Sequence, residues 1–271
     1  MLDSAAPPVP PHRRAILALG GHEFSRKRGN EAIRDYILAL ADAATPRIAL
    51  LPTAGGDAAE QIAAFRGALA GMPCVASHIS LFRLESEPVD VARHLLSQDL
   101  IYVGGGSMVN LLAIWRAHGI DAILRACWEQ GVVLVGQSAG AMCWFEWGIT
   151  RSTGRPRPAP GLGVIPGVLS VHYHRDADRR RALFETVAER GEPGYGLDDG
   201  AGMLIRGTDV AVTISGLEEA AAWLVESDGG GEARETRLEP ALLPSPRPAI
   251  DEVGADVREM RRLRALRAAH R

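Results

Sequence analysis

Hydrophobic residues in the first half of the chain come in short unbroken runs, each closed by glycine or a small polar residue and followed by a helical pattern. Residues 13–21 (RRAILALGG), 47–56 (RIALLPTAGG), 99–106 (DLIYVGGG) and 131–138 (GVVLVGQS) read as strands of this kind, and 76–82 (ASHISLF) as another. Residues 31–43, 57–69, 89–96 and 108–130 carry helical spacing between them, with Asp57 placed to cap the second and a break near His118–Gly119 in the last. A strand that is apolar at every position must be covered on both faces. Such strands alternating with helices predict a parallel sheet with helices on either side.

The regularity loosens after Trp147. Residues 139–146 read as a helix, 148–153 as a short strand, 155–163 (RPRPAPGLG) as a loop, 167–174 as a strand and 176–190 as an amphipathic helix. Four stretches, 194–200, 201–207, 209–214 and 220–227, look like strands close in sequence, with a turn at 228–234. Strands so close together predict antiparallel additions to the sheet edge. The fold class is therefore α/β: a mostly parallel sheet with helices on both faces and antiparallel edge strands towards the C-terminus. Residues 1–12 are proline-rich and predicted disordered, 13–240 form a single α/β domain, and 241–271 form a linker and an Arg-rich helical tail.

Composition narrows the classes without naming one. Of 271 residues, 46% are hydrophobic and 23% charged, which supplies a globular core. A net charge of −3 argues against a partner held by bulk positive charge, so no nucleic acid is expected. No apolar run reaches the ~18 residues of a membrane span, and no secretory leader is evident, so a cytoplasmic protein without membrane contact is expected. Cys74, Cys127 and Cys143 are far apart and form no metal-binding spacing, so reduced thiols and no metal site are expected.

Three segments at predicted strand ends carry unusual residues, and strand ends are where an open parallel sheet places its ligands. Residues 136–140 (GQSAG) match G-x-S-x-G between a strand and a helix. In that pattern glycines permit a sharp turn that lifts the Ser138 hydroxyl, and the following helix presents its positive end. The plain alternative is a serine cap in a glycine-rich turn. Gly104-Gly105-Gly106-Ser107 offers bare backbone N–H groups to an oxyanion, with Ala139 as a second donor. It lacks the lysine and spacing of a nucleotide loop, so no cofactor is expected. His172-Tyr173-His174 supplies a base for a serine nucleophile. On a continuous strand 172 and 174 would share a face, so periodicity does not choose between them.

Together these residues carry a resemblance. YVGGGSMVNLLAIW (102–115), GQSAGAMCWFEWGIT (136–150), SVHYH (170–174) and GYGLDDGAGMLI (194–205) resemble the dipeptidase E family, also called aspartyl dipeptidases, with cyanophycinases as more distant relatives. The resemblance covers about residues 13–240 and implies a class I glutamine amidotransferase-like fold with serine in place of cysteine. It further implies cleavage of short peptides, often those beginning with aspartate, without metal or cofactor. Carried over, Ser138 is the nucleophile, His172 the base, and Gly105 or Gly106 with Ala139 the oxyanion donors. The chain departs from the family in having Ser107 where asparagine is frequent, His174 where H-Y-D is common, and no carboxylate in residues 149–153. Ser107, Tyr173, His174 and Asp198 are the candidate substrate-binding residues.

The residues also pose the question of a third partner for the histidine. Between Ser138 and His172 the only carboxylate is Glu146, eight residues down the predicted elbow helix. Asp176 and Asp178 start a helix. Asp198 and Asp199 end a predicted strand and follow the order Ser…His…Asp, so Asp199, with Asp198 second, is the candidate orienter or ligand for a substrate ammonium. The expected function is a serine exopeptidase on small peptides. The alternatives are an esterase or amidase, and a binding or regulatory protein on a decayed peptidase fold, which the missing acid favours. Trp144 and Trp147 could serve a homodimer contact or simply fill the core.

Overall fold

The computed structural model describes residues 8–21 and 30–244. Its central feature is five parallel strands: β1 (Ala15–Leu19), β2 (Arg47–Leu51), β3 (Val75–His78), β4 (Leu100–Val103) and β5 (Val133–Gln137), side by side in the order β1-β5-β4-β2-β3. The unbroken apolar runs are explained by coverage on both faces. Ala15, Leu17 and Leu19 pack with helices α1 (Asn30–Ala39) and α2 (Ala59–Leu69), through Ile33, Ile37, Phe65 and Leu69. Ile16 and Ala18 face the other way, towards α3 (Val91–Leu96), α4 (Met108–His118) and α5 (Ile120–Glu129). The break between α4 and α5 falls at Gly119, whose φ of 66° closes α4.

Past Gln137 the chain turns through α6 (Ala139–Met142) into β6 (Phe145–Thr150), β7 (Arg157–Pro160), β8 (Ile165–Val171), helix α7 (Ala177–Arg190) and β9 (Gly194–Leu197). It then crosses back through β10 (Ala201–Arg206) and β11 (Asp209–Ser215), out through β12 (Ala222–Ser227) and β13 (Ala233–Leu238), and ends at β14 (Ala241–Leu242). The β10 and β11 strands are antiparallel additions beside β1, as the sequence predicts. The others correct the single-sheet expectation. β9 and β12 belong to a second, six-stranded sheet of order β13-β12-β9-β8-β6-β7, which α7 covers. An isolated bridge, Gly21 to Asp199, joins the ends of the two sheets.

Five local expectations also change. The elbow helix stops at Met142, because the Cys143 and Trp144 carbonyls are taken by Leu162, Val164 and Ile165. Residues 157–160 form β7 rather than a loop; at a sheet edge, Pro158 and Pro160 need no N–H. Asp57 does not cap α2. It is 6% exposed at φ 56°, accepts from the Phe82 N–H at 3.1 Å, and burial pushes its carboxyl up. Residues 8–12 of the expected disordered segment are held in place, Val9 donating to the Glu129 carbonyl, and residues 241–242 of the expected linker pair with β11. The Arg-rich tail lies outside the described residues.

Candidate active site

Ser138 follows the last residue of β5 with φ 52° and ψ −111°, a backbone conformation that L-residues avoid and hold only when the surroundings impose it. The imposing contacts are close. A Cβ at Gly136 would sit 1.9 Å from the Gly140 carbonyl, and one at Gly140 2.4 Å from the Val103 carbonyl. These glycines fold the turn tightly enough to raise the Ser138 side chain above the sheet. With only four residues, α6 has little dipole to offer, so the positive-end argument gives way to individual N–H groups.

β8 and β9 run parallel beside each other, Val171 level with Leu197, and deliver the next two side chains. The strand ends at Val171. His172 has φ 54°, leaves the strand direction, and places Nε2 2.9 Å from Ser138 Oγ. Its Nδ1 bonds Asp199 Oδ1, and Arg175 Nη1 bonds Asp199 Oδ2 at 2.7 Å. His172 and Arg175 together hold the Asp199 carboxyl down at about 2. Gly21 makes room for this line: a Cβ there would lie 2.1 Å from Asp199 Oδ1 and 3.1 Å from the His172 ring. The Gly20-Gly21 pair closing β1 is a site feature that sequence reading missed, although two glycines at a strand end were the available signal.

Gly105 lies against the serine, a Cβ there falling 3.4 Å from Ser138 Cβ. The Gly104 N–H donates to Leu51 and the Ser107 N–H to Ala54, while among the described residues the N–H groups of Gly105, Gly106 and Ala139 have no protein acceptor. Gly106 has φ 148°, and a Cβ would strike the Ala54 carbonyl at 2.0 Å, so only glycine fits. A cavity of about 620 Å³ opens here; Gly105, Gly106, Ser138 and His172 line it.

The predicted substrate-binding residues fare differently. Ser107 caps α4, its Oγ accepting from the Asn110 N–H. Tyr173 is buried against Gly196 and donates to Glu235, which burial and that bond together use to raise its phenol far above its ordinary range. His174 is exposed and touches the site only through its N–H, which donates to Asp198. Asp198 is 4% exposed and accepts from the N–H groups of His174 and Ala221 and from Trp223 Nε1, so it is structural. Glu146 accepts from the Gly167 N–H, away from the histidine, and Asp176 pairs with Arg151 and caps α7. Trp144 is buried beside Trp115, and Trp147 is partly buried under Arg190.

The cavity wall adds residues that the sequence did not single out: Glu60, Gln61, Gln137 and Arg179. Among the described residues lining it, Glu60 is the one carboxylate and Arg179 the one guanidinium. Arg179 is 8% exposed and donates to the Ile149 carbonyl and to Asp176. No group of described His, Cys, Asp or Glu side chains has the makings of a metal site. No described helix is long and apolar enough to cross a membrane.

Comparison with known proteins gives a consistent set. The model of peptidase family S51 matches residues 16–213. The chain is 39% identical over 213 residues to the uncharacterized peptidase YgaJ of Bacillus subtilis (strain 168), covering 78% of this chain and 92% of that one. It is 28% identical over 166 residues to a Drosophila melanogaster protein named probable alpha-aspartyl dipeptidase, 55% of this chain and 65% of the fly protein. Among solved structures, a peptidase from an acI-B1 Actinobacterium shares the fold with a TM-score of 0.63 at 18% identity, covering 83% of this chain and 94% of that one.

Proposed function

This chain belongs to peptidase family S51, and from that premise we propose that it is a serine exopeptidase acting on short peptides through Ser138, His172 and Asp199. The observation that carries the reading is the hydrogen-bonded line from Ser138 Oγ through the imidazole to the Asp199 carboxylate, set beside unpaired N–H groups in an open cavity. Ser138 Oγ attacks the scissile carbonyl while His172 Nε2 takes its proton. The carbonyl oxygen becomes an oxyanion facing the N–H groups of Ala139 and of Gly105 or Gly106. His172 then protonates the leaving amine, and an acyl-enzyme remains on Ser138. Water, deprotonated by the same imidazole, releases the acid and restores the serine. Asp199 holds the ring with Nδ1 protonated and stabilises the imidazolium in both halves.

The exopeptidase limit rests on Glu60. A substrate ammonium needs an anion, and the cavity's carboxylate is Glu60 rather than the predicted Asp198 or Asp199. A preference for aspartyl substrates is the finer part of the reading, supported by the fly relative's name and by Arg179 in the wall. The decayed-fold alternative loses its motive, since Asp199 supplies the acid absent from residues 149–153.

The test is Ser138→Ala with a panel of dipeptides, their N-acetylated forms and small esters, together with labelling by a serine-directed phosphonate. Ser138→Ala should lose ~10⁴–10⁶ in kcat and all labelling. Acetylation should abolish cleavage. Retention of a tenth of the activity by Ser138→Ala would sink the assignment, and faster turnover of esters than of any dipeptide would favour the esterase alternative.

A further inference from the structure

A second cavity, of about 430 Å³, opens at the other end of the sheet from Ser138. Its lining includes Val133, the first residue of β5, whereas Ser138 follows the last; the five residues of β5 span roughly 16 Å at ~3.3 Å per residue. One wall is part of the proline-rich segment that the sequence marks as disordered. The Val9 N–H donates to the Glu129 carbonyl at 2.8 Å, Arg14 Nε donates to the Val9 carbonyl at 2.9 Å, and the Arg14 guanidinium lies 5.3 Å from the centre of the Trp128 ring. The segment is thus fastened across the amino ends of the strands, where it brings His12 and Arg13 to the cavity.

The charges around this cavity are sorted by side. Arg206 ends β10, paired with the start of β1, and Arg13 lies just before β1. Asp42 and Asp99 lie in the connections that lead into β2 and β4. In the order β10-β1-β5-β4, Arg206 and Asp99 stand three strand spacings apart, about 14 Å between backbones. Their side chains do not close that gap: among the described residues Arg13, Arg206, Asp42 and Asp99 form no ion pair with one another or with any other side chain. Asp99 keeps Oδ2 on the Arg47 N–H at 2.7 Å, which leaves Oδ1 for another donor. A polyanion would meet the two carboxylates, and a polycation the two guanidiniums. A ligand with one charge of each sign suits both sides.

We propose that this cavity binds a free α-amino acid with an apolar side chain, its carboxylate on Arg13 and Arg206 and its ammonium on Asp42 and Asp99, as a site separate from the catalytic one. Gln98 adds an acceptor for the ammonium. It is 6% exposed, and its Nε2 is committed to the His94 carbonyl at 2.8 Å and to Ser97 Oγ at 3.1 Å, which leaves Oε1 free to accept. Leu40, Leu96 and Val132 offer apolar surface to the side chain. The ligand class follows from the charges around the cavity and does not depend on the peptidase reading.

The experiment titrates L-leucine, N-acetyl-L-leucine and L-leucine methyl ester calorimetrically into the wild type, into the phosphonate-labelled protein, and into Arg206→Met and Asp42→Asn. Asparagine tolerates the positive φ of residue 42, so the second variant removes charge without straining the backbone. Leucine should bind the wild type and the labelled protein alike, at one equivalent. The acetylated form lacks the ammonium and the ester lacks the carboxylate, so each should bind about tenfold or more weakly. Arg206→Met should weaken leucine by about tenfold and narrow its advantage over the ester; Asp42→Asn should do the same against the acetylated form. Dipeptide hydrolysis by both variants should match the wild type, which shows that they fold. Absence of leucine binding in the millimolar range overturns the proposal. So does loss of binding on phosphonate labelling, which would place leucine at Ser138, or equal binding of leucine and its acetylated form, which would leave an anion site only. Unchanged affinity in both folded variants overturns it as well.

Discussion

Replacing Asp199 by asparagine is the sharpest perturbation of the proposed mechanism, because it changes a charge and almost no volume. Asp199 Oδ1 accepts from His172 Nδ1 and Oδ2 pairs with Arg175. During attack the imidazole becomes a cation in contact with that carboxylate. At ~4 Å and an effective dielectric of ~20, such a pair is worth about 4 kcal/mol, and each 1.36 kcal/mol of barrier is a factor of ten. Asp199→Asn should therefore lower kcat by about 10³-fold, within the ~10²–10⁴ range between an orienting acid and a dedicated triad acid. KM should change little, since Asp199 does not line the cavity. The assay is steady-state hydrolysis of the best dipeptide, with phosphonate labelling as a check on Ser138 and circular dichroism as a check on the fold. A folded variant within tenfold of the wild-type kcat would refute the reasoning and leave His172 oriented by another acceptor.

Three further outcomes follow from the same geometry. Gly21→Ala drives a methyl to 2.1 Å from Asp199 Oδ1 and should cost about 10²-fold in kcat by displacing the carboxylate, as ångström-scale misplacements do; a silent variant would mean the carboxylate position is not critical. Asp198→Ala strands three donors, two of them backbone N–H groups, and should lower unfolding free energy by about 3 kcal/mol in urea titration, whereas a selective rise in KM for free-amine substrates would restore Asp198 as their ligand. Asp199 titrates at about 2 in the fold against an ordinary 3.8, so its contribution to stability is complete above pH ~4 and fades as pH falls towards 2. Acid titration of the wild type should accordingly show up to about 2 kcal/mol more loss than Asp199→Asn across that window, and parallel curves would contradict the shift.

The parallel core was legible because its physics is local: strands wetted on neither face cannot alternate, and runs such as AILAL announce it. The second sheet was hidden for equally physical reasons. β7 is half proline, and β13 is a polar ARETRL with three of its six residues charged; both are edge strands whose exposed sides permit such residues. In the site, G-x-S-x-G was readable since its glycines are demanded by close backbone contacts, Gly136 against the Gly140 carbonyl and Gly140 against the Val103 carbonyl of β4. Gln137, Glu60 and Arg179 were not, because what brings them to one cavity is the packing of β5, α2 and α7 around it, which no spacing in the chain records.

The pair Asp198-Asp199 shows how far the sequence carries and what the fold adds. Two adjacent carboxylates at a strand end read as one feature, either a turn or a charged site, and the sequence offers both residues for the same duties. Successive residues of an extended chain point to opposite sides, and here the two sides are different environments. Asp198 turns towards the start of β12, where it accepts from the buried Ala221 N–H, from the Trp223 indole N–H and from the His174 N–H. Asp199 turns towards the end of β1, where Gly21 leaves an opening that any side chain would close, and there it meets His172. The first carboxylate holds the His172–His174 segment in place through the His174 N–H; the second uses that placement. Their adjacency is thus a division of labour between holding the loop and charging the base, and exchanging the roles would require reversing the strand by one residue, which would turn every β9 side chain to the wrong face.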